Sequence, residues 1–163
     1  MKTTIIASLF FAAFATATVT IDLSAYPKLR YDTPVEVTVG DEFEVILAEN
    51  PTTGFIWEIF SQELRKGGLD KIVRPRRHRF EKDNERRGAS GVGGVRIFTL
   101  EVIGAGKGDL NFIHGRPWET NAKVDAGEDL GPLVQKIVPI IAIEPVGESD
   151  HTDNGYHRGS KDL

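Results

Sequence analysis

Short stretches in which apolar and polar residues alternate recur along this chain, and this is the pattern of half-buried β-strands. The stretch 55–60 is aromatic and β-branched, and 136–143 is almost wholly apolar, which also favours strands. The strands predicted on these grounds are 35–39, 43–47, 55–60, 95–103, 110–113 and 136–143. Glycine-containing turns separate several of them, and the sequence shows no helical period. The pattern therefore predicts an all-β protein, an antiparallel β-sandwich.

Two features fit this pattern less well. Residues 69–87 are rich in arginine and lysine, and Ile72, Val73 and Phe80 suggest a single strand within them. We expect this basic stretch to be the solvated face of a strand pair. Pro139 lies inside the last predicted strand, and proline cannot donate to a β-ladder. It therefore predicts an edge strand or a bulge at that point.

Both ends of the chain differ in composition from its middle. Lys2 precedes an apolar run at 5–14 and the small residues Ala15-Thr16-Ala17, which is the layout of a secretory signal peptide. We expect a signal peptide at 1–17, one β-sandwich domain at 18–145 and a flexible polar tail at 146–163. The expected location is outside the cell or in the endolysosomal and vesicular lumen.

Composition excludes several classes of chemistry. The chain has 163 residues, a formal net charge of −4 and no cysteine, so neither disulfides nor thiolate chemistry can contribute. The histidines His78, His114, His151 and His157 have no metal-ligand spacing, and no Gly-x-Ser-x-Gly elbow is present. We expect His114 to pack or to be solvated. The sequence predicts no cofactor, no metal site and no enzymatic activity.

Three segments between the predicted strands carry the candidate function. The threonine loop is Asn50-Pro51-Thr52-Thr53-Gly54-Phe55, the glycine loop is Gly91-Val92-Gly93-Gly94, and the tryptophan loop is Arg116-Pro117-Trp118. Strands joined at alternate ends would bring all three to one end of the sandwich. Loops held by a rigid sheet are where binding residues concentrate, so the three predict one composite docking edge.

Each loop offers a different means of binding. Pro51 fixes its own φ and Gly54 permits a positive φ, so the threonine loop should be a stiff projection that loses little entropy on binding. The glycine loop exposes backbone donors and acceptors that can pair with an extended partner. Trp118, held by Pro117 and flanked by Arg116, is typical of an interface hot spot.

The three motifs together, in this order, resemble the chagasin family of cysteine-protease inhibitors over roughly residues 33–144. The resemblance implies an immunoglobulin-like β-sandwich and tight, reversible, competitive inhibition of papain-like peptidases of the cathepsin L or B kind. It further implies that the threonine loop enters the catalytic cleft with Thr52 beside the catalytic cysteine. The glycine loop would follow the unprimed side of the cleft and the tryptophan loop the primed side. We expect a monomer that binds neither nucleic acid nor membranes.

Two other functions are compatible with parts of the sequence. A secreted immunoglobulin-like adhesion or carbohydrate-binding module would explain the strands and the signal peptide, but not the joint occurrence of the three motifs. A polyanion binder would use the basic stretch 69–87, although the chain as a whole is acidic. Inhibition of a papain-like protease separates the first alternative from the predicted function, and salt-sensitive heparin binding would support the second.

Overall fold

The computed structural model describes residues 18–83, 93–126, 128 and 134–146, which form two packed β-sheets of four strands each. Across the first sheet the strands are β1 (Val19–Asp22), β3 (Glu42–Glu49), β6 (Gly94–Val102) and β5 (Val73–Lys82). Across the second they are β2 (Val35–Thr38), β8 (Val134–Ile143), β7 (Gly106–Gly115) and β4 (Ile56–Ile59). The predicted signal peptide and residues 147–163 of the predicted tail lie outside the described residues.

The sheets are mainly but not wholly antiparallel. β3 pairs with β6, β5 with β6, β4 with β7 and β7 with β8 in antiparallel register. The short strands β1 and β2, however, run parallel to β3 and β8. The β-sandwich is therefore confirmed, with a mixed edge on each sheet that alternation within single strands could not predict.

The core lies between the two sheets. In β3 the inward positions include Phe43, Val45 and Leu47, each at most 1% exposed, and the outward positions begin with Glu42 and Glu44. Phe98 of the first sheet contacts Phe112 of the second, with ring centroids 5.1 Å apart. Because each strand contributes alternate residues to this layer, the period-2 pattern found most of the strands from the sequence.

Pro139 lies in the central strand β8 opposite Asp109 of β7, so the prediction of an edge strand is wrong. Two residues earlier, Ile137 uses its N–H and C=O to bond Leu29 and Tyr31, on the side away from β7. The backbone nitrogen of Pro139 faces that same side, because backbone groups two residues apart on a strand face the same way. The ladder with β2 begins only at Ile140, so no ladder bond is missing at the proline.

Two short α-helices interrupt the strand order, contrary to the all-strand pattern. Helix α1 (Ser61–Lys66) follows β4 and buries only Leu64, and a 3₁₀ turn at Leu69–Lys71 leads into β5. Helix α2 (Pro117–Ala126) follows β7 directly. Among the described residues neither helix is long and apolar enough to cross a membrane.

Candidate functional site

The strand registers bring the ends of the three loops to one end of the sandwich. Glu49, the last residue of β3, pairs with Gly94, the first residue of β6. Ile56, the first residue of β4, pairs with Gly115, the last residue of β7. The threonine loop thus leaves one sheet beside the glycine loop and enters the other beside the tryptophan loop. The predicted clustering is present for the described parts of all three.

The threonine loop is a tight turn held by its own side chains. Pro51–Thr53 form one turn of 3₁₀ helix, and the Asn50 side-chain oxygen accepts from the Thr52 hydroxyl at 2.7 Å and the Thr52 amide at 3.3 Å. The Thr53 hydroxyl donates to the Asn50 carbonyl at 2.9 Å. Thr52 and Thr53 are exposed at the tip. The loop is therefore rigid before it meets any partner, as the proline and glycine predict.

Gly54 is required by both its backbone and its surroundings. Its φ of +78° lies in the left-handed region, and its N–H bonds the Pro51 carbonyl at 3.0 Å. An added Cβ would lie 3.1 Å from the Cη2 atom of Trp118. Trp118 thus packs over the turn of the threonine loop while 64% of the residue remains exposed. The two loops form one continuous surface.

An aromatic stack supports this surface from below. The His114 ring lies 4.7 Å from the Trp57 ring in a stacked arrangement and 5.7 Å from the Phe55 ring. The Arg116 guanidinium lies 4.7 Å from the centroid of the Phe55 ring, in cation–π geometry. His114 therefore packs, as predicted. The spacing of histidines in the sequence could not show that it lies beside Trp57 and Phe55.

His114 is held neutral by its surroundings. Burial lowers the pKa of His114, and the charge of Glu49 opposes that shift only in part. Its Nε2 atom is buried without a hydrogen-bond partner among the described residues. A protonated ring would have to be desolvated at this place, so the neutral ring is the form that fits the stack.

The tryptophan loop is a strand–helix junction rather than a loop, which corrects the sequence prediction. Arg116 alone connects β7 to α2, Pro117 occupies the first helical position and Trp118 lies in the first turn. The amides of Glu119 and Thr120 both bond the Arg116 carbonyl at 2.9 Å. Proline at that position and an early acidic residue are helix-start signals, and they were present in the sequence. Trp118 is consequently presented by a helix.

The glycine loop is described only at its second half, because Gly91 and Val92 lie outside the described residues. Gly94 begins β6, and an added Cβ there would lie 2.1 Å from the Glu81 carbonyl oxygen. Gly93 accepts a bond from the Asp83 amide at 3.0 Å. Gly94 is therefore needed for the close approach of β5 to β6, whatever its role in binding.

The basic stretch forms salt bridges with glutamates across the exposed face of the first sheet. Arg79 lies 2.8 Å from Glu44 and lowers the pKa of that carboxyl, and Arg77 lies 3.6 Å from Glu42. We call this the charged face; its members are Glu42, Glu44, Arg74, Arg76, Arg77, Arg79 and Glu101. As expected, the described part of the stretch that forms β5 is a solvated strand face, and the four arginines of β5 have acidic partners.

Within the described residues no cluster of three or more His, Asp or Glu side chains could hold a metal ion. The site consists of hydroxyls, backbone groups, aromatic rings and one guanidinium. It offers shape and hydrogen bonding, which suits binding to another protein.

Comparisons with known proteins identify the family of this chain. Residues 36–128 match the family described as chagasin family peptidase inhibitor I42. The chain is 31% identical to amoebiasin-1 of Entamoeba histolytica over 91 residues, which is 56% of this chain and 80% of amoebiasin-1. It is 33% identical to chagasin of Trypanosoma cruzi over 91 residues, or 56% of this chain and 79% of chagasin.

Solved structures resemble the fold as well. A cysteine protease inhibitor from Entamoeba histolytica superposes with a TM-score of 0.54 at 15% identity, covering 77% of this chain and 97% of the inhibitor. The solution structure of amebosin gives a TM-score of 0.53 at 18% identity, covering 78% of this chain and 99% of amebosin. Both confirm the chagasin-like, immunoglobulin-like β-sandwich. With the family match over more than half its length, this chain belongs to the chagasin family of cysteine-protease inhibitors and is not an enzyme.

Proposed function

We propose that this protein is a tight, reversible and competitive inhibitor of papain-like cysteine proteases of the cathepsin L or B kind. The observation that carries the proposal is the joint edge made by the threonine and tryptophan loops. Trp118 packs over Gly54, and Thr52 and Thr53 stand exposed beside them. We propose that this edge enters the active-site cleft of the protease.

The geometry supports inhibition without covalent chemistry. A protease cleaves a carbonyl held in near-attack geometry beside its nucleophile. The 3₁₀ turn at Pro51–Thr53 instead presents the side chain of Thr52, whose hydroxyl is already bonded to Asn50. We propose that Thr52 lies beside the catalytic cysteine and that no peptide bond is in place for attack. Because the turn is rigid beforehand, binding loses little conformational entropy.

The other two loops extend the contact along the cleft. We propose that Gly91, Val92, Gly93 and Gly94 follow the unprimed side and pair through their backbone with the enzyme. Trp118, with Arg116 and Pro117 behind it, covers the primed side and stacks on aromatic residues there. The exposed fraction of Trp118 supports this role, since a large ring left in water gains most when a partner covers it.

Titration of the purified protein into papain and a cathepsin L tests the proposal, with trypsin as the control. We expect stoichiometric, reversible loss of papain and cathepsin activity, an apparent inhibition constant that rises with substrate concentration, and untouched trypsin. A folded sample that inhibits no papain-like enzyme would contradict the proposal. The adhesion or carbohydrate-binding function would then be the better explanation.

The place of action remains part of the proposal. We propose that the protein is routed by residues 1–17 to the outside of the cell or to the endolysosomal lumen, where papain-like proteases work. It should act as a monomer, because one copy carries the threonine and tryptophan loops on one edge. Retention of a reporter in the cytosol when fused after residue 17 would contradict the routing.

A further inference from the structure

A carboxylate occupies an inward position at the end of β3. The residues that face the core along this strand are Phe43, Val45, Leu47 and then Glu49, immediately before the threonine loop. The side chain of Glu49 is fully buried. Isolated buried charges are strongly unfavourable, so the partners of this group determine what it does.

Arg96 of β6 supplies the opposite charge. Its Nε atom lies 3.1 Å from one carboxylate oxygen of Glu49, and its Nη2 atom donates to that same oxygen. Only 14% of the Arg96 side chain is exposed. Along β6, Arg96 is in phase with the buried residues Phe98 and Leu100 and lies nearer to the loops than they do. The core rows of two adjacent strands thus end in an ion pair directly beneath the loops.

Glu49 also closes the threonine loop. Its second carboxylate oxygen accepts from the backbone N–H of Trp57 at 2.7 Å, and the Trp57 indole N–H donates to the Ala48 carbonyl at 2.8 Å. Residues 48 and 49 end a strand of the first sheet, and Trp57 lies in the second sheet. Both stems of the loop are therefore tied together across the two sheets.

Arg96 carries the connection to the glycine loop. It lies on β6 two residues after Gly94, and it contacts the preceding arm of the hairpin through His78 and Phe80 of β5. The distances are 3.2 Å from Nη1 to the His78 ring nitrogen and 5.6 Å from the guanidinium carbon to the Phe80 ring centroid. The Arg96 side chain thus connects its own strand β6 with β5, and these two strands flank the glycine loop in the sequence.

Stability alone does not account for this arrangement. Replacing a buried ion pair by apolar side chains of similar volume is often neutral or stabilising, because burial of both charges is so costly. The pair instead lies where two loops leave the sheets and bonds residues on both sides. We propose that Glu49 and Arg96 are positioning residues that fix the threonine loop relative to the glycine loop. This inference rests on the proposed function and adds residues that are buried beneath the exposed loop surface.

The test replaces both charges by neutral side chains of similar size, in the double variant Glu49→Gln with Arg96→Met. Glutamine can still accept from the Trp57 amide, so the fold should be retained, whereas the contacts of the Arg96 guanidinium with Glu49 and with β5 are lost. The matched control is Glu44→Gln with Arg79→Met, which removes an ion pair of the charged face on the same sheet. Inhibition of papain, thermal unfolding and amide hydrogen exchange are measured for the wild type, the double variant and the control.

We expect the Glu49/Arg96 variant to raise the inhibition constant by about tenfold with its unfolding temperature nearly unchanged, because a loosened loop must be ordered on binding. The amides of Thr53 and Gly54 should exchange faster by about tenfold, while that of Phe112 in the core keeps its rate. The control should match the wild type in all of these quantities except a small loss of stability.

An inhibition constant and loop exchange rates within about twofold of the wild type would overturn the proposal, since a positioning role requires both to move. If the variant does not fold, Arg96→Lys provides the comparison, because it keeps a cation beside Glu49 and removes the guanidinium that reaches β5. If the wild type inhibits no papain-like protease, the proposed function fails. The exchange rates of Thr53 and Gly54 then still decide whether the pair holds the loop.

Discussion

Two regions of this molecule stand out in the sequence, and they use their side chains in opposite ways. On the charged face, arginines of β5 lie within salt-bridge distance of glutamates of β3 and β6. At the loop edge, Trp118 and the two threonines of the threonine loop are left exposed although the backbone beneath them is rigid. A conspicuous segment is a stronger candidate for binding when it leaves a large apolar ring exposed over a rigid backbone than when its charges are paired within the fold.

The comparison also explains why the polyanion-binding alternative loses its support. A phosphate-binding surface needs cations that are free to release counterions and meet a ligand. Arg79 bonds both Glu44 and Glu81 at 2.8 Å, and Arg74 and Arg76 each lie 3.7 Å from Glu101. A polyanion would have to displace these carboxylates, so the arginines of β5 contribute to the sheet surface instead.

The largest effect is expected at the tip of the threonine loop. Thr52→Asp would place a carboxylate in a closed and desolvated contact, so the inhibition constant for papain should rise by about 100-fold or more. Thr52→Ser keeps the hydroxyl that bonds Asn50 and serves as the control, with inhibition near that of the wild type. Unchanged inhibition by a folded Thr52→Asp variant would show that the tip does not enter the cleft.

The second effect is expected at Trp118. Trp118→Ala should cost about 2 kcal/mol of binding, equivalent to about a 30-fold higher inhibition constant, if the ring anchors the primed side. The free energy of unfolding should change little, because most of the residue is already exposed. Trp118→Phe keeps an aromatic ring and should recover much of the loss. A variant that loses stability but not inhibition would assign Trp118 to packing over Gly54.

Most of the fold could be predicted because its information is local. Alternation located β2, β3 and β6, whereas aromatic, β-branched or apolar content located β4 and β8. A short run located part of β7, and Ile72, Val73 and Phe80 indicated β5. The four-residue strand β1 alternates too, but it is short and its partner β3 lies about 20 residues away in the chain. Parallel pairing of that kind depends on contacts across the sheet, which no pattern within one strand contains.

Helix α2 escaped prediction for a different reason. Its exposed positions include Glu119, Asn121 and Lys123, and Thr120 is a buried polar residue, so the helix has no clear apolar stripe. The only available signals were at its start, where Pro117 precedes an acidic residue. They indicate that a helix begins but not how far it continues.

The loop motifs were recognisable, but what holds them in place was not. The sequence identified the exposed residues of the site through their proline, glycine and tryptophan content. Glu49, Trp57 and His114 support the loops from below and belong to three different strands. Glu49 is in phase with Phe43, Val45 and Leu47, so alternation places it on the inward side, whereas its charge favours solvent. Only the packed structure shows that Arg96 and the Trp57 amide are the partners that allow its burial.

A smaller effect is expected from His114, which links the loop edge to pH. Burial lowers the pKa of His114 in the folded protein, whereas the unfolded chain titrates near the ordinary value of about 6.5. Below that pH, His114 binds a proton in the unfolded state but stays neutral in the folded state. The stability from the neutral ring is therefore complete above about pH 6.5 and is lost as the pH falls toward the lower folded pKa.

Chemical denaturation at pH 7.5 and pH 5 measures this dependence. His114→Phe keeps an aromatic ring between Trp57 and Phe55 and cannot titrate, so its stability should fall less between the two pH values than that of the wild type. His78→Phe removes a histidine of β5 that contacts Arg96, and it serves as the comparison for loss of an imidazole outside the aromatic stack. Equal pH dependence of the wild type and His114→Phe would show that another group governs it.

The smallest effect is expected on the charged face. Arg77→Gln with Arg79→Gln removes two partially exposed cations from paired glutamates, and such pairs contribute only about 0.2–1 kcal/mol each. The free energy of unfolding should fall slightly, more at low than at high salt because exposed pairs are screened. Inhibition of papain should stay within about twofold, since the loop edge is built from other residues. A large loss of inhibition would place this face in the contact with the enzyme, and the contrast between the two regions would then no longer hold.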